Sequence, residues 1–320
     1  MREHSRFERI VAMNFLSALS NVLMCLFYCV PGYIIAKMKK TNSDHLSTVS
    51  AILIYIGTPF LEVSSFLALD FSLALLGRMA LFFVVTLLLQ AGFTGLMALI
   101  LRKRLHEAKY RIMASVSAMG NVGFFGLPIV RALLPAHPEV VAYAAVTMLS
   151  MNMLSFTVGV YCFTGDKKYM SLKSALFNPT TLGFVLGMSC FVFGLKNVFP
   201  AMLQTAIANV ANMTMPLCMF LLGIRLAASP LRSAFTDRTA WLIAGLKLAV
   251  FPLVCWLVLL LLPLPEEMKA AAVILMATPC AAFALSLSEM YHSLPSLSAN
   301  CITCSTLCCF ITIPLFTLLF

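Results

Sequence analysis

Two hydrophobic runs in this chain are interrupted by residues that a membrane helix rarely tolerates, and the interruptions hold residue types suited to binding. The first reads Met119-Gly120-Asn121-Val122-Gly123-Phe124-Phe125-Gly126-Leu127-Pro128. The second reads Met276-Ala277-Thr278-Pro279-Cys280-Ala281-Ala282. A broken helix frees backbone groups, which in lipid must be re-satisfied by protein or must line a cavity. Paired breaks at corresponding places in two halves of a chain are the best sequence pointer to a transport site. Asn121 is a side-chain amide at the expected bilayer centre. It reads as a hydrogen-bond donor to a substrate carboxylate, as the cap of a half-helix, or as both. Gly123 and Gly126 let the backbone turn and approach a partner closely; helix packing through small residues is the alternative. Pro128 and Pro279 each remove a helix hydrogen bond and kink the chain. A half-helix N-terminus at such a break presents N–H groups and a positive dipole end to an anion.

Ionisable groups are scarce inside the apolar runs. Glu62 is the one acid well inside a run, and ionisable residues at membrane depth are functional candidates by default. It reads as the carrier of a coupled proton, or as a group near the outer end of its span, half-solvated or paired with a base. Lys247 reads as an attractor of anions, as the partner of an acid, or as a side chain that snorkels to the interface. Arg225 is most simply a span-end anchor. Glu289 and His292 are interfacial, with a proton relay as the alternative. Eleven cysteines include Cys301-x-x-Cys304. The spacing suits a metal, but it lies in an apolar run with no second pair in a loop, so small packing residues are the better reading. No metal and no cofactor are expected. The chain has no phosphate loop, nucleotide fingerprint, HExxH or GxSxG motif, which argues against an ATP-driven pump and against an enzyme of the membrane interior.

The elements that must position these residues are membrane spans. Apolar residues make up 61% of the 320 positions and charged ones 11%, and the mean hydropathy is +0.97. Soluble domains carry about 25% charged residues, so too little polar surface remains to cover a core of this size in water. The apolar runs match the ~30 Å of a bilayer's hydrocarbon. The expected class is an all-α polytopic membrane protein of ten spans: 12–36, 46–68, 73–101, 110–134, 140–163, 180–197, 201–227, 239–262, 268–290 and 297–319. The first is too long for a signal-peptide core. Lys and Arg number fourteen on the side holding Lys37, Arg104, Lys168 and Arg225, against seven on the side of the N-terminus. Cytoplasmic loops carry that excess, which puts both termini outside a plasma or inner membrane. The net charge of +10 is then loop basicity facing anionic lipid, with no nucleic-acid partner.

Five spans per half inverts the second half relative to the first. Pro59 in Gly57-Thr58-Pro59 and Pro216 in Thr214-Met215-Pro216 stand 157 positions apart; Gly120 and Pro279 stand 159 apart. Two such close offsets support a repeat of 1–163 and 180–320, joined by a short cytoplasmic linker, 164–179. Pro128 has no counterpart at that offset.

The most specific of these stretches, Gly120-Asn121-Val122-Gly123-Phe124-Phe125-Gly126-Leu127-Pro128, looks like the GNxGFxGxP break of one family. Asn178-Pro179, Asn212-Met213-Thr214-Met215-Pro216-Leu217, Phe220-Leu221-Leu222-Gly223 and Ser305–Leu319 with Pro314 match it further. Over nearly its full length the chain resembles the auxin efflux carrier family of plant and microbial transporters. The resemblance implies ten helices in two inverted repeats, with broken helices 4 and 9 crossing at mid-membrane to hold an organic anion such as auxin, malate or malonate. It implies an elevator-like movement of the crossover bundle against a scaffold of spans 1, 2, 6 and 7, with Pro59, Asn212 and Pro216 in scaffold or kink roles. The substrate is expected against Asn121, the amides around Gly123 and Gly126, Pro128, and Pro279-Cys280. Coupling to H+ or Na+ stays open, as does a homodimer. Two departures stand out. Relatives often have an amide in the second break, where this chain runs Cys280-Ala281-Ala282-Phe283. They also often have Asn where this chain has Tyr55. A site built on backbone amides, or a smaller or more apolar anion, would fit. The rival readings are a sodium-coupled carrier of the bile-acid-symporter type, which needs polar sodium ligands at the crossover, and a membrane sensor that keeps the fold without transporting.

Overall fold

A computed structural model describes residues 2–41, 43–228 and 231–320. Their regular structure is helical throughout. Helix α1 (Arg2–Lys37) is followed by α2 (Ser43–Ile52), which runs through a wide turn into α3 (Thr58–Leu67). Next come α4 (Leu73–Ile100), α5 (Ala108–Val116), α6 (Leu127–Leu133), α7 (Val140–Leu154) and its continuation α8 (Val160–Thr164). The short α9 (Leu172–Leu176) lies in the linker. After it follow α10 (Pro179–Val192), α11 (Ala201–Ala228), α12 (Leu231–Thr236), α13 (Arg238–Gly245) and α14 (Phe251–Leu260). The chain ends with α15 (Glu266–Met276), α16 (Ala282–Met290) and α17 (Pro295–Thr317). Among the described residues, eight segments are long and apolar enough to cross a membrane. The expected spans 110–134 and 268–290 are the ones interrupted, and each half alone is shorter than the ~20 residues a crossing needs. The expected span 180–197 is helical only to Val192, with a 3₁₀ turn at Leu195–Asn197.

Local sequence sets several boundaries. Asn178 caps α10: its side-chain oxygen accepts from Thr181 N at 3.0 Å and its amide donates to Ala175 O at 2.7 Å. Asp237 caps α13 by accepting from Thr239 N and Ala240 N, and the same carboxylate accepts from Asn300 of α17 at 3.0 Å. Three π-turns, Leu53–Gly57, Val122–Gly126 and Leu246–Val250, each end two residues before a proline: Pro59, Pro128 and Pro252. A proline has no N–H, so the carbonyl one turn back loses its partner. The wider turn lets the preceding N–H reach five residues back: Thr58 N to Leu53 O, Leu127 N to Val122 O, Phe251 N to Leu246 O. Backbone groups that lipid would leave bare are thus satisfied within the helix.

The helices pack as two sets that also touch each other, α1 lying along α17 and against α6. In the first, α1 lies along α11 and α3 lies along α10, and α3 also touches α11. The α1–α11 crossing is close enough that a Cβ on Gly32 would run into the Phe220 carbonyl, and one on Gly223 into the Cys29 carbonyl. In the second set, α4 packs on α7 through the stacked rings of Phe82 and Tyr143, 4.6 Å apart. There Gln90 donates to the Ser150 hydroxyl at 2.9 Å. Helix α13 packs on α17, and α15 on α7. At the ends of α4, α7 and α15, Arg78 lies 3.9 Å from Glu139 and 4.0 Å from Glu267. The deepest part of the molecule is α7 with residues 268–276 of α15, whose side chains are almost all buried.

Candidate crossover site

Helices α5 and α15 stop at Val116 and Met276, and the chain then runs through two short irregular stretches that meet. Gly120 and Cys280 form an antiparallel bridge. Asn121 N donates to Pro279 O at 2.8 Å, and Ala281 N donates to Met119 O at 3.1 Å. The two breaks therefore satisfy each other. Pro279 lacks a donor but supplies the acceptor, and Gly120 permits the contact: a Cβ there would lie 2.5 Å from Thr278 Oγ1. Cys280 N donates to the Ser305 hydroxyl at 3.0 Å, which ties the joint to α17. Lys247, within the third π-turn, donates from its ammonium to the Met276 carbonyl at the end of α15.

The residues singled out in the sequence occupy different surroundings. Asn121 begins the second half of its broken helix at φ −78° and ψ 65°, and its side chain makes no capping bond there. It is half-buried and lines a cavity of about 560 Å³ with Ser50, Arg225, Ala282, Ser286 and Thr303. Helix α16 starts beside it at Ala282, and Ala281 offers no side-chain cap, so the first amides of α16 are met by no side chain of the residue before them. Gly123 and Gly126 do not turn the chain: the positive-φ glycines are Gly165 and Gly194. They allow close packing instead, since a Cβ on Gly123 would lie 2.6 Å from Met148 Sδ and one on Gly126 2.9 Å from Thr278 Cγ2. Pro279 and Cys280 are buried in the joint and line neither main cavity. Pro128 lies seven residues past the joint, in the first turn of α6, and so does not make the break. It lines a second cavity, of about 800 Å³, with Arg131, Asn212, Pro216, Leu61 and Ser65. The two cavities face opposite ends of the α2–α3 and α11 segments.

Comparison with known proteins bears on what such an arrangement does. A family model described as "Membrane transport protein" matches residues 17–317. The chain belongs to that family. It is the auxin efflux carrier family, the one the break motifs resemble. The chain is also similar to an uncharacterized transporter of Methanocaldococcus jannaschii, 28% identical over 222 residues that cover 66% of this chain and 70% of the relative.

In this membrane transport protein Glu62 and Lys247 sit deeper than their solvated alternatives required, whereas Glu289 and His292 are exposed. Glu62 is 2% exposed, and neither carboxylate oxygen has a hydrogen-bond partner. Lys247 is 0% exposed and does not snorkel. Arg225 is half-buried in the wall of the Asn121 cavity, and among the described residues it forms no salt bridge. Sequence reasoning overlooked Ser305 and Thr278, whose hydroxyls brace the joint through Cys280 N and Leu275 O. No spacing rule marks a serine one helix away as the partner of a freed amide.

Proposed function

We propose that this membrane transport protein is a secondary carrier of a small organic anion, a mono- or dicarboxylate, working by elevator-type alternating access. The observation that carries this reading is the wall of the Asn121 cavity. An amide side chain, the N-terminus of α16 without a side-chain cap, and Arg225 line one space beside the paired breaks, with the exposed Glu289 the one acid in that wall. Uncapped helix N-termini and guanidinium groups favour carboxylates, and backbone amides stand in for the side-chain donors that Cys280–Phe283 lack. Arg131 gives the second cavity the same charge preference.

The architecture we infer is ten spans in two inverted repeats, 1–163 and 180–320, joined by 164–179. Phe93 and Phe251, 158 positions apart in the sequence, meet with ring centroids 4.7 Å apart and planes tilted by 36°, as residues near a two-fold axis would meet. The pairs α1–α11 and α3–α10 correspond under the same exchange of halves. These four elements with α2 form the scaffold, and Pro59, Asn212 and Pro216 belong to it. The crossover, with Asn121, Gly123, Gly126, Pro128, Pro279 and Cys280, belongs to the moving body. With the basic loops taken as cytoplasmic, the Asn121–Arg225 cavity would open toward the cytoplasm and the Pro128–Arg131 cavity outside a plasma or inner membrane. Glu62, buried without a partner on the scaffold, is the candidate proton carrier.

The test is counterflow of a labelled carboxylate panel in proteoliposomes. Wild type should show saturable uptake of at least one anion, and Asn121→Ala should abolish most of it. Uptake that survives the substitution moves the site away from the crossover. No uptake of any carboxylate by folded protein removes the anion reading.

A further inference from the structure

A charged side chain that forms no salt bridge among the described residues sits in the interior of the molecule. Lys247 is fully buried. Its ammonium donates to Met276 O, and it lies over the Phe251 ring, 5.1 Å from the centroid. A Cβ on Gly120 would come within 3.2 Å of Nζ, so the charge also abuts the first break. The surroundings explain how such a charge is held. Met276 O is one of the last carbonyls of α15, which have no intrahelical partner and carry the negative end of the helix dipole. Helix α5 ends at the same joint. The π-turn aims the side chain: it shifts the register of the 246–250 segment just before Pro252 and turns Lys247 inward.

Freed carbonyls and half-helix C-termini at a transporter crossover are the groups that elsewhere coordinate small cations. We propose that the Lys247 ammonium is a tethered cation that takes the place of a free monovalent metal ion at this crossover. The position is then permanently filled and does not follow the sodium gradient. Lys247 is a positioning residue: it lines neither main cavity and acts on the substrate side only through the Gly120–Cys280 joint. The consequence for coupling, a carrier indifferent to sodium, rests on the carrier function proposed above. The filling of the cation position does not.

The test therefore reads cation binding rather than transport. The unfolding midpoint of purified full-length protein is measured in sodium, potassium and choline chloride at equal ionic strength, for wild type, Lys247→Ala and Lys247→Gln. Wild type should give one midpoint in all three salts. Lys247→Ala should unfold at lower temperature in choline and recover at least half of that loss in sodium or potassium, because a ligand that binds only the folded state raises its midpoint. Lys247→Gln keeps a donor toward Met276 without the charge and covers the case in which the alanine protein does not fold; the same recovery is expected of it. An equal loss in all three salts overturns the proposal and leaves Lys247 as a structural cap. A wild-type midpoint raised by sodium over both other salts, and unchanged in that respect by Lys247→Gln, overturns it as well. A failure of the carrier reading would appear elsewhere, as wild-type protein with these midpoints and no counterflow.

Discussion

Glu62 and Lys247 are both buried ionisable residues, and their surroundings suit them to different work. Lys247 has a carbonyl, an aromatic face and a helix end around it, and all three favour a cation that stays. Glu62 has no hydrogen-bond partner for either oxygen, and a carboxylate left bare in a low-dielectric interior is strongly disfavoured. A group held that way is suited to exchanging a proton as its surroundings change during a transport cycle. A pH gradient imposed across proteoliposomes, acid outside, should raise the initial uptake rate of the wild type several-fold when proton and anion travel together. Glu62→Gln, which cannot exchange a proton, should show the same rate with and without the gradient. Initial rates with an intact and a collapsed gradient check this. A variant that keeps the wild-type response removes Glu62 from coupling. Nearby Ser65 supports a local role for the region, because its hydroxyl is spent on Leu61 O at 2.8 Å and leaves Glu62 unassisted.

At the scale of the helices, glycine decides where backbones can touch. At the α1–α11 crossing the atoms facing Gly32 and Gly223 are backbone carbonyls, which cannot swing aside as a side chain would. Small residues at such contacts are what let membrane helices associate. Gly223→Ala should therefore lower stability by about 1–3 kcal/mol, the usual cost of overpacking, whereas Gly92→Ala, with nothing within 4 Å, should be neutral or slightly stabilising. Unfolding midpoints of the two variants in one detergent decide this. The same elements show what the sequence made legible. Long apolar runs revealed the helices, because hydropathy over some twenty residues is a sum that local detail does not disturb. The breaks at Gly120-Asn121 and Pro279-Cys280 were legible because glycine and proline act on their own backbone. Pro128 misled for the same reason. It lies beyond the break, and its missing N–H is absorbed by a π-turn that no residue pattern announces. The Asn121 N to Pro279 O bond and the placement of Lys247 join residues far apart in the chain, and only tertiary packing brings them together.

For the whole molecule, the decisive feature is a pair of separate cavities at opposite ends of the same helices, one of which reaches the joint at Asn121. A channel would join them, whereas a carrier keeps them separate and changes which one reaches the joint. Both cavities border α11: Cys218 to Leu226 face the first, and Gln204 to Pro216 face the second. Sliding the crossover body along α11 would therefore enlarge one cavity as it closed the other. Single cysteines read this movement directly. Ten of the eleven native thiols are buried and Cys308 is partly so, which keeps background labelling low. Ser50→Cys reports the Asn121 cavity and Thr205→Cys the Pro128 cavity. Saturating substrate should change their labelling rates by a membrane-impermeant thiol reagent in opposite directions, each by several-fold, because the ligand stabilises one end state at the expense of the other. The same reagent fixes the orientation. Val198→Cys, on an exposed loop, should label on intact cells, and Lys103→Cys, in a basic exposed loop, only after permeabilisation. If substrate protects both cavity positions together, the two spaces respond as one pore and alternating access is lost as the mechanism. If Lys103→Cys labels on intact cells, the charge-based orientation is reversed and the Arg225 cavity faces outward.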